Sequence, residues 1–165
     1  MTKVSERLNR LAESATLAMA RMSRELKAQG KDVIALSLGE PDFDTPEFIK
    51  EAAKQAITDN YSHYTPVPGL VELREAIVGK FKRDNNLDFT TDQIVTSTGA
   101  KQSLANLALS LLNNGDEVLL PCPYWVSYSE IIKLAEGVPV EIPSTIDSNF
   151  KITPQQLEES ITEKT

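Results

Sequence analysis

Histidine, cysteine and tryptophan occur once each among the 165 residues, as His63, Cys122 and Trp125. A lone cysteine closes no internal disulfide, so cysteine usage gives no sign of a secreted, stapled scaffold, and Cys122 reads more readily as a small filler than as a reactive thiol. A lone histidine has no second His or Cys at ligand spacing, which leaves no metal site to expect. It also lies in a loop far from any nucleophile-elbow pattern, so a Ser, His and Asp set for acyl transfer is missing. No GxxxxGK[ST] phosphate loop occurs, and Gly39, Gly69 and Gly99 are too widely spaced for a dinucleotide fingerprint. No stretch approaches the roughly 18 apolar residues of a membrane span. The start of the chain carries Lys3, Glu6, Arg7 and Arg10 in place of an apolar signal core, so the cytoplasm is the expected compartment. Basic charge is also short. With 17 basic against 24 acidic side chains the formal charge is −7, and no Lys or Arg stripe exists to neutralise phosphates, which argues against nucleic acid as a partner.

What remains is an ordinary globular composition, 41% hydrophobic and 25% charged, on a chain long enough for one packed core. Residues 14 to 29 have helix-forming composition, with Ser14 placed to cap the start and Gly30 to end it. The apolar run Val33 to Leu36 breaks into the loop GEPDFDTP, residues 39 to 46. Pro46 suits the first turn of a second helix with Thr45 as its cap, and Phe48, Ile49, Ala52, Ala56 and Ile57 follow at helical spacing. YSHYTPVPG, residues 61 to 69, has too many prolines and glycines for regular structure, after which Leu70, Leu73, Ala76, Ile77 and Phe81 resume a helical pattern. From residue 93 the texture changes. QIVTS (93–97) is strand-like, a helix starts near Ala100 and ends before Gly115, and EVLLP (117–121) is strand-like again. A helix over Tyr124–Ala135, a strand VPVEI (138–142) and a capped helix opening at Thr153 complete the alternation. Such alternation predicts an α/β fold with a mainly parallel sheet, because parallel strands need long crossovers. A boundary between parts is expected near residues 46 to 50.

Three segments carry candidate chemistry. In IVTSTGAKQSL, residues 94 to 104, a strand runs through Gly99 into a helix. The N–H groups of Gly99, Ala100 and Lys101 would lie at the positive end of the helix dipole, where a glycine lets an anion approach the backbone. Read alone, the same glycine could simply relieve a tight turn. PCPYWVSY, residues 121 to 128, places Trp125 just past the carboxyl end of a strand, where open parallel sheets form their ligand crevice and a flat ring could stack on an aromatic group. Read alone, Trp125 and Tyr124 could equally cover the sheet edge. GEPDFDTP is a rigid loop whose Gly39 backbone could meet a carboxylate, or a plain surface loop.

Taken in order, SATLAM (14–19), SLGEPDFDTP (37–46), YTPVPGLVELREAI (64–77), IVTSTGAKQSL (94–104) and GDEVLLPCPYWVSY (115–128) resemble class I aminotransferases, and the wording of GEPDFDTP and PYWVSY is similar to prokaryotic aspartate aminotransferases. The resemblance covers nearly the whole chain. It implies the type I fold of pyridoxal-phosphate-dependent transferases. Residues 1–48 would be the N-terminal arm and small-domain segment, and residues 49–165 the beginning of the large cofactor-binding domain with the first βαβαβ part of its sheet. It implies pyridoxal 5'-phosphate as cofactor, its phosphate on Gly99, Ala100 and Lys101 and its ring against Trp125. Gly39 would meet the substrate's α-carboxylate, Tyr64 would reach the phosphate of a neighbouring subunit's cofactor in a homodimer, and Ser14 to Thr16 would lie near the substrate entrance. An amino acid, aspartate-like, and a 2-oxo acid would exchange an amino group. The resemblance also implies what to expect beyond Thr165: the lysine that bonds to the cofactor, the aspartate on its ring nitrogen and the arginine that grips the carboxylate. It further implies that strand 93–97 lies apart from the other two strands, with the intervening strands later in the chain. The 165 residues alone are therefore expected to be inactive and unstable. Two other functions stay open at this stage: a related enzyme of the same fold acting on aromatic substrates, and a non-catalytic short form that binds a full-length partner.

Overall fold

The computed structural model describes residues 3–165. They fall into two compact units, one running up to Leu38 and resuming over Gly99–Thr165, the other covering Gly39–Thr98.

In the first unit the chain opens with a single helical turn, α1 (Glu6–Asn9), capped by the Ser5 hydroxyl. Helix α2 (Ala15–Ala28) follows, and the Ser14 hydroxyl accepts from the Leu17 N–H as its composition predicts. Residues 31–38 are coil with Ile34 and Leu36 almost fully exposed.

The second unit then supplies α3 (Glu47–Thr58) and α4 (Val71–Asn85). The cap of α3 differs from expectation: Pro46 itself is the N-cap residue and no side chain bonds the first turn, so Thr45 does not serve. Pro46 has φ −53° and ψ 140°, the extended setting of a residue just outside a helix. The apolar stripe of α3 forms at helical spacing, yet Phe48 and Ile57 are exposed. Asn86 ends α4 in the left-handed conformation, a place where asparagine is tolerated. Phe81 of α4 packs on Phe89 with ring centroids 5.4 Å apart. The loop after α3 is fixed by Gly69, whose φ is +101°; a Cβ there would stand 2.1 Å from the Thr96 hydroxyl. Thr96 in turn donates its N–H, at 3.0 Å, and its hydroxyl, at 3.2 Å, to the Pro68 carbonyl.

The strand expected over residues 93–97 does not form. Thr91–Gln93 is one 3-10 turn, and the chain then runs extended from Ile94, whose side chain is buried, without joining a ladder. A strand is defined by its neighbour, and among the described residues none lies beside this one. The expected βαβαβ run is accordingly a single βαβ.

That βαβ belongs to the first unit. Helix α5 (Ala100–Leu111) leads to strand β1 (Glu117–Pro121), helix α6 (Ser127–Leu134) and strand β2 (Val138–Ile142). The strands pair in parallel with Glu117 opposite Val138 and Pro121 opposite Ile142. The ladder is bounded by the Val138 N–H to Asp116 carbonyl bond at one end and the Cys122 N–H to Ile142 carbonyl bond at the other. The Glu117 N–H donates instead to the Lys164 carbonyl. Helix α6 is shorter than the Tyr124–Ala135 pattern: Val126 is its N-cap residue, and Tyr124–Val126 lead into it after the Cys122–Pro123 cis peptide. Helix α7 (Pro154–Glu159) closes the unit with a capping box in which Thr153 and Gln156 satisfy each other's backbone N–H.

The core is small. Leu120, Ile132, Ala135 and Ile142 are buried between β1, β2 and α6, and a Cβ on Gly137 would stand 2.9 Å from Leu112, 3.1 Å from Ile132 of α6 and 3.2 Å from the Asp116 carbonyl, so the turn after α6 packs this closely only on a glycine. Beside this core an apolar cleft of about 390 Å³ opens between α5, β1 and α6, lined by residues such as Leu104, Leu107, Leu120 and Ile131. The chain exposes 13484 Å², whereas a self-contained monomer of this size exposes about 8,000 Å². Much apolar surface therefore stays in water, with Ile34, Leu36, Phe48 and Ile57 among the exposed side chains.

Candidate active site

The junction into α5 has the geometry that anion binding requires. Gly99 is the N-cap residue with φ 85° and ψ 160°, and no side chain caps the helix. The first intrahelical bonds run from the Gln102 and Ser103 N–H groups to the Gly99 carbonyl, so the N–H groups of Gly99, Ala100 and Lys101 precede the ladder and have no acceptor within it. The space where a Cβ of Gly99 would sit is open to 4 Å, which admits an oxygen-rich group close to the backbone. The first turn contains no acidic residue, so the helix dipole, equivalent to roughly half a positive charge at this end, meets no local repulsion for an anion.

Trp125 stands beside this turn. It lies four residues beyond the end of β1, and the Nζ of Lys101 sits 5.0 Å from the centre of its ring. A cation over an indole face is held by the ring quadrupole. The residues predicted to take a phosphate and those predicted to take a ring are thus brought together, although they are separated by 24 positions. Trp125 is 43% exposed, which leaves surface for a planar partner. A narrow cleft of about 210 Å³ lies close by, with Ser14 on one side and Val126, Ser127 and Glu130 on the other. Ser14, expected near a substrate entrance, therefore borders the segment that follows Trp125. The α5 turn and the half-open indole fit the phosphate and the ring of pyridoxal phosphate.

Several supports of this site escaped the sequence. The Tyr124 hydroxyl donates to the Glu141 carboxylate on β2, and the Ser144 hydroxyl donates to the Cys122 carbonyl. Both contacts cross the βαβ crossover, so only the register of β1 on β2 could have revealed them. The Glu141 carboxylate raises the Tyr124 phenol above its ordinary range, an effect that the Ser129 side chain partly offsets. Burial raises the Cys122 thiol, and the Glu141 charge adds to that. On α6, burial pushes Glu130 up, but hydrogen bonds from Lys133 and from the Ala12 N–H outweigh it, and the carboxyl ends below its usual value.

Gly39 and Tyr64 belong to the other unit. Gly39 is exposed, with nothing within 4 Å of where its Cβ would be. Tyr64 is fully exposed beside the equally exposed Val67.

Against known proteins, residues 31–165 match the family described as aminotransferase class I and II. A probable aspartate/prephenate aminotransferase of Rickettsia bellii is 52% identical over 165 residues, which is all of this chain and 41% of that protein. An aspartate aminotransferase of Bacillus sp. strain YM-2 is 49% identical over 162 residues, 98% of this chain and 41% of that one. Among solved structures, the aspartate aminotransferase of Rhizobium meliloti superposes with a TM-score of 0.95 at 42% identity, covering 99% of this chain and 41% of its own. The Thermus thermophilus enzyme crystallised with maleate gives the same TM-score and identity, over 100% of this chain and 43% of its own. The chain spans about two fifths of the length of these relatives, and it belongs to the class I and II aminotransferases.

Proposed function

We propose that the full-length protein carrying these residues is a pyridoxal-phosphate-dependent aminotransferase that moves an amino group between an aspartate-like amino acid and a 2-oxo acid. The observation that carries this reading is the open, uncapped start of α5 at Gly99 with Lys101 and Trp125 converging on it. In this reading the N–H groups of Gly99, Ala100 and Lys101 bind the cofactor's phosphate, and Trp125 stacks on its ring. Gly39 offers its backbone to the substrate α-carboxylate. Tyr64, fully exposed, reaches the cofactor phosphate of a neighbouring subunit in a homodimer. Residues 1–48 are assigned to the arm and small domain and 49–165 to the start of the large domain. When bound, the cofactor supplies the electron-withdrawing ring through which the amino group is exchanged. The chain's own residues hold that group and exclude water from one of its faces; no residue among the 165 is assigned the covalent role.

Relatives named for both aspartate and prephenate support placing prephenate beside the aspartate-derived acid among the substrates. The direct test measures transfer of isotopically labelled nitrogen from aspartate to 2-oxo acids, prephenate included, by full-length protein loaded with pyridoxal phosphate. Labelled product from an acidic donor is expected, and the 165-residue chain under the same conditions is expected to give none. A full-length protein that neither binds the cofactor nor transfers nitrogen would end this reading.

A further inference from the structure

Trp125 is the residue whose orientation the proposed site depends on most, and its surroundings hold it weakly. Trp125 is 43% exposed, so no enclosing pocket sets the angle of its ring. What fixes it is the short segment between β1 and α6. On the β1 side the Cys122 N–H donates to the Ile142 carbonyl at 2.9 Å, and Ser144 donates to the Cys122 carbonyl. On the α6 side the Tyr128 N–H donates to the Trp125 carbonyl at 2.9 Å. Between these two ends, the residue next to the indole is tied by its side chain: the Tyr124 phenol donates to the Glu141 carboxylate. Ser129, buried on α6, faces the same phenol. The tyrosine therefore connects the first turn of α6 with the carboxyl end of β2.

We propose that Tyr124 and Glu141 act as a positioning pair that sets the plane of Trp125 for stacking on the cofactor ring. The inference rests on the aminotransferase reading above. An ionised acceptor makes a stronger hydrogen bond than a neutral one, and a phenol has only two side-chain torsions to lose, so this pair fixes a loop at low entropic cost. Lys101 approaches the indole from α5, but its long, flexible side chain locates the ring less sharply than a tether on the adjacent residue. Tyr124 and Glu141 touch neither cofactor nor substrate in this scheme; they act through Trp125.

The test uses full-length protein with Tyr124→Phe, Glu141→Ala and Glu141→Gln, and reads three quantities: the dissociation constant for pyridoxal phosphate, the circular dichroism of the bound cofactor's absorption band, and the melting temperature without cofactor. A hydrogen bond to a charged group is worth roughly 13- to 150-fold, and because this one acts on the cofactor only through Trp125, a part of that, about five- to tenfold weaker cofactor binding, is expected in Y124F and E141A. Both variants should show a smaller cofactor dichroic band at saturation, because the ring is seated less uniformly. E141Q keeps an acceptor oxygen and should recover at least half of both losses. If Y124F does not fold, the pair E141A and E141Q still decides the matter. Wild-type affinity and dichroism in E141A, or an E141Q protein no better than E141A, would overturn the positioning role. A lowered melting temperature with unchanged dichroism would also overturn it, by reducing the pair to a structural tie. Wild-type protein that binds no pyridoxal phosphate would overturn the aminotransferase reading itself, and the inference with it.

Discussion

Replacing Gly99 by alanine separates two roles that the residue combines. Its φ of 85° and ψ of 160° lie in a region essentially reserved for glycine, where another residue costs on the order of 1–3 kcal/mol. No atom lies within 4 Å of the new methyl group, so the cost comes from the backbone alone and not from a collision. The variant has two ways to meet it. It can hold the conformation and lose about 1–3 kcal/mol of folding stability. Alternatively it can relax the turn, in which case the N–H groups of Ala100 and Lys101 swing away and pyridoxal phosphate binds about 5- to 150-fold more weakly for the same free energy. The two losses should share one total. Urea unfolding of the cofactor-free full-length protein measures the first, and a cofactor titration followed by absorbance measures the second. A G99A protein with both wild-type stability and wild-type affinity would refute the claim that this turn is a glycine-shaped cofactor cradle.

Gly69→Ala should be more damaging to folding than Gly99→Ala, since its methyl would stand 2.1 Å from the Thr96 hydroxyl at a φ of +101°; a loss of about 2 kcal/mol or more in urea unfolding is expected, and a second change, Thr96→Ala, should restore part of it. Cys122 should react with a thiol-specific disulfide reagent more slowly than a free cysteine, with the rate climbing only at pH above the usual thiol range, because burial and the Glu141 charge both disfavour the thiolate. Fast reaction at neutral pH would contradict this. Glu130 is held below its ordinary range in the folded protein, so its contribution to stability is present above the unfolded value of about 4.3 and fades as pH falls through the lower folded value. Hydrogen exchange at the Ala12 amide, which donates to Glu130 at 2.9 Å, should accelerate relative to neighbouring amides as the carboxylate protonates, and Glu130→Gln should remove that extra pH dependence.

The elements legible in the sequence are those specified by neighbours within a few positions. Helix α2 was given by Ser14, and α7 by Thr153 with Gln156, because a cap is a local hydrogen bond. Strands β1 and β2 were legible as short apolar runs on either side of a helix. Residues 93–97 carry the same kind of run, but β-pattern records a side chain's fitness for a sheet and not the presence of a partner; Ile94 is buried without a ladder, and Thr96 bonds the Pro68 carbonyl instead of a strand. Thr45 failed as a cap because Pro46 took the N-cap position with its own extended backbone. At the site, the start of α5 could be read from Gly99 and the helix that follows. The Lys101 contact with Trp125 and the Tyr124 tie to Glu141 could not, since each joins residues on different elements whose approach is set by packing.

The position of Pro139 blunts the outer flank of the two-stranded ladder. Val138 points its N–H at β1, so by alternation the next residue along β2 faces the opposite side, where proline has no hydrogen to offer. A further strand laid against that flank would find a gap in the donor row. On the other flank Leu119 keeps an outward N–H, Pro121 has none to give, and the Lys164 carbonyl already takes that of Glu117. Each outer row is thus interrupted by one ring-closed residue, which guards the ladder against stray pairing on both sides.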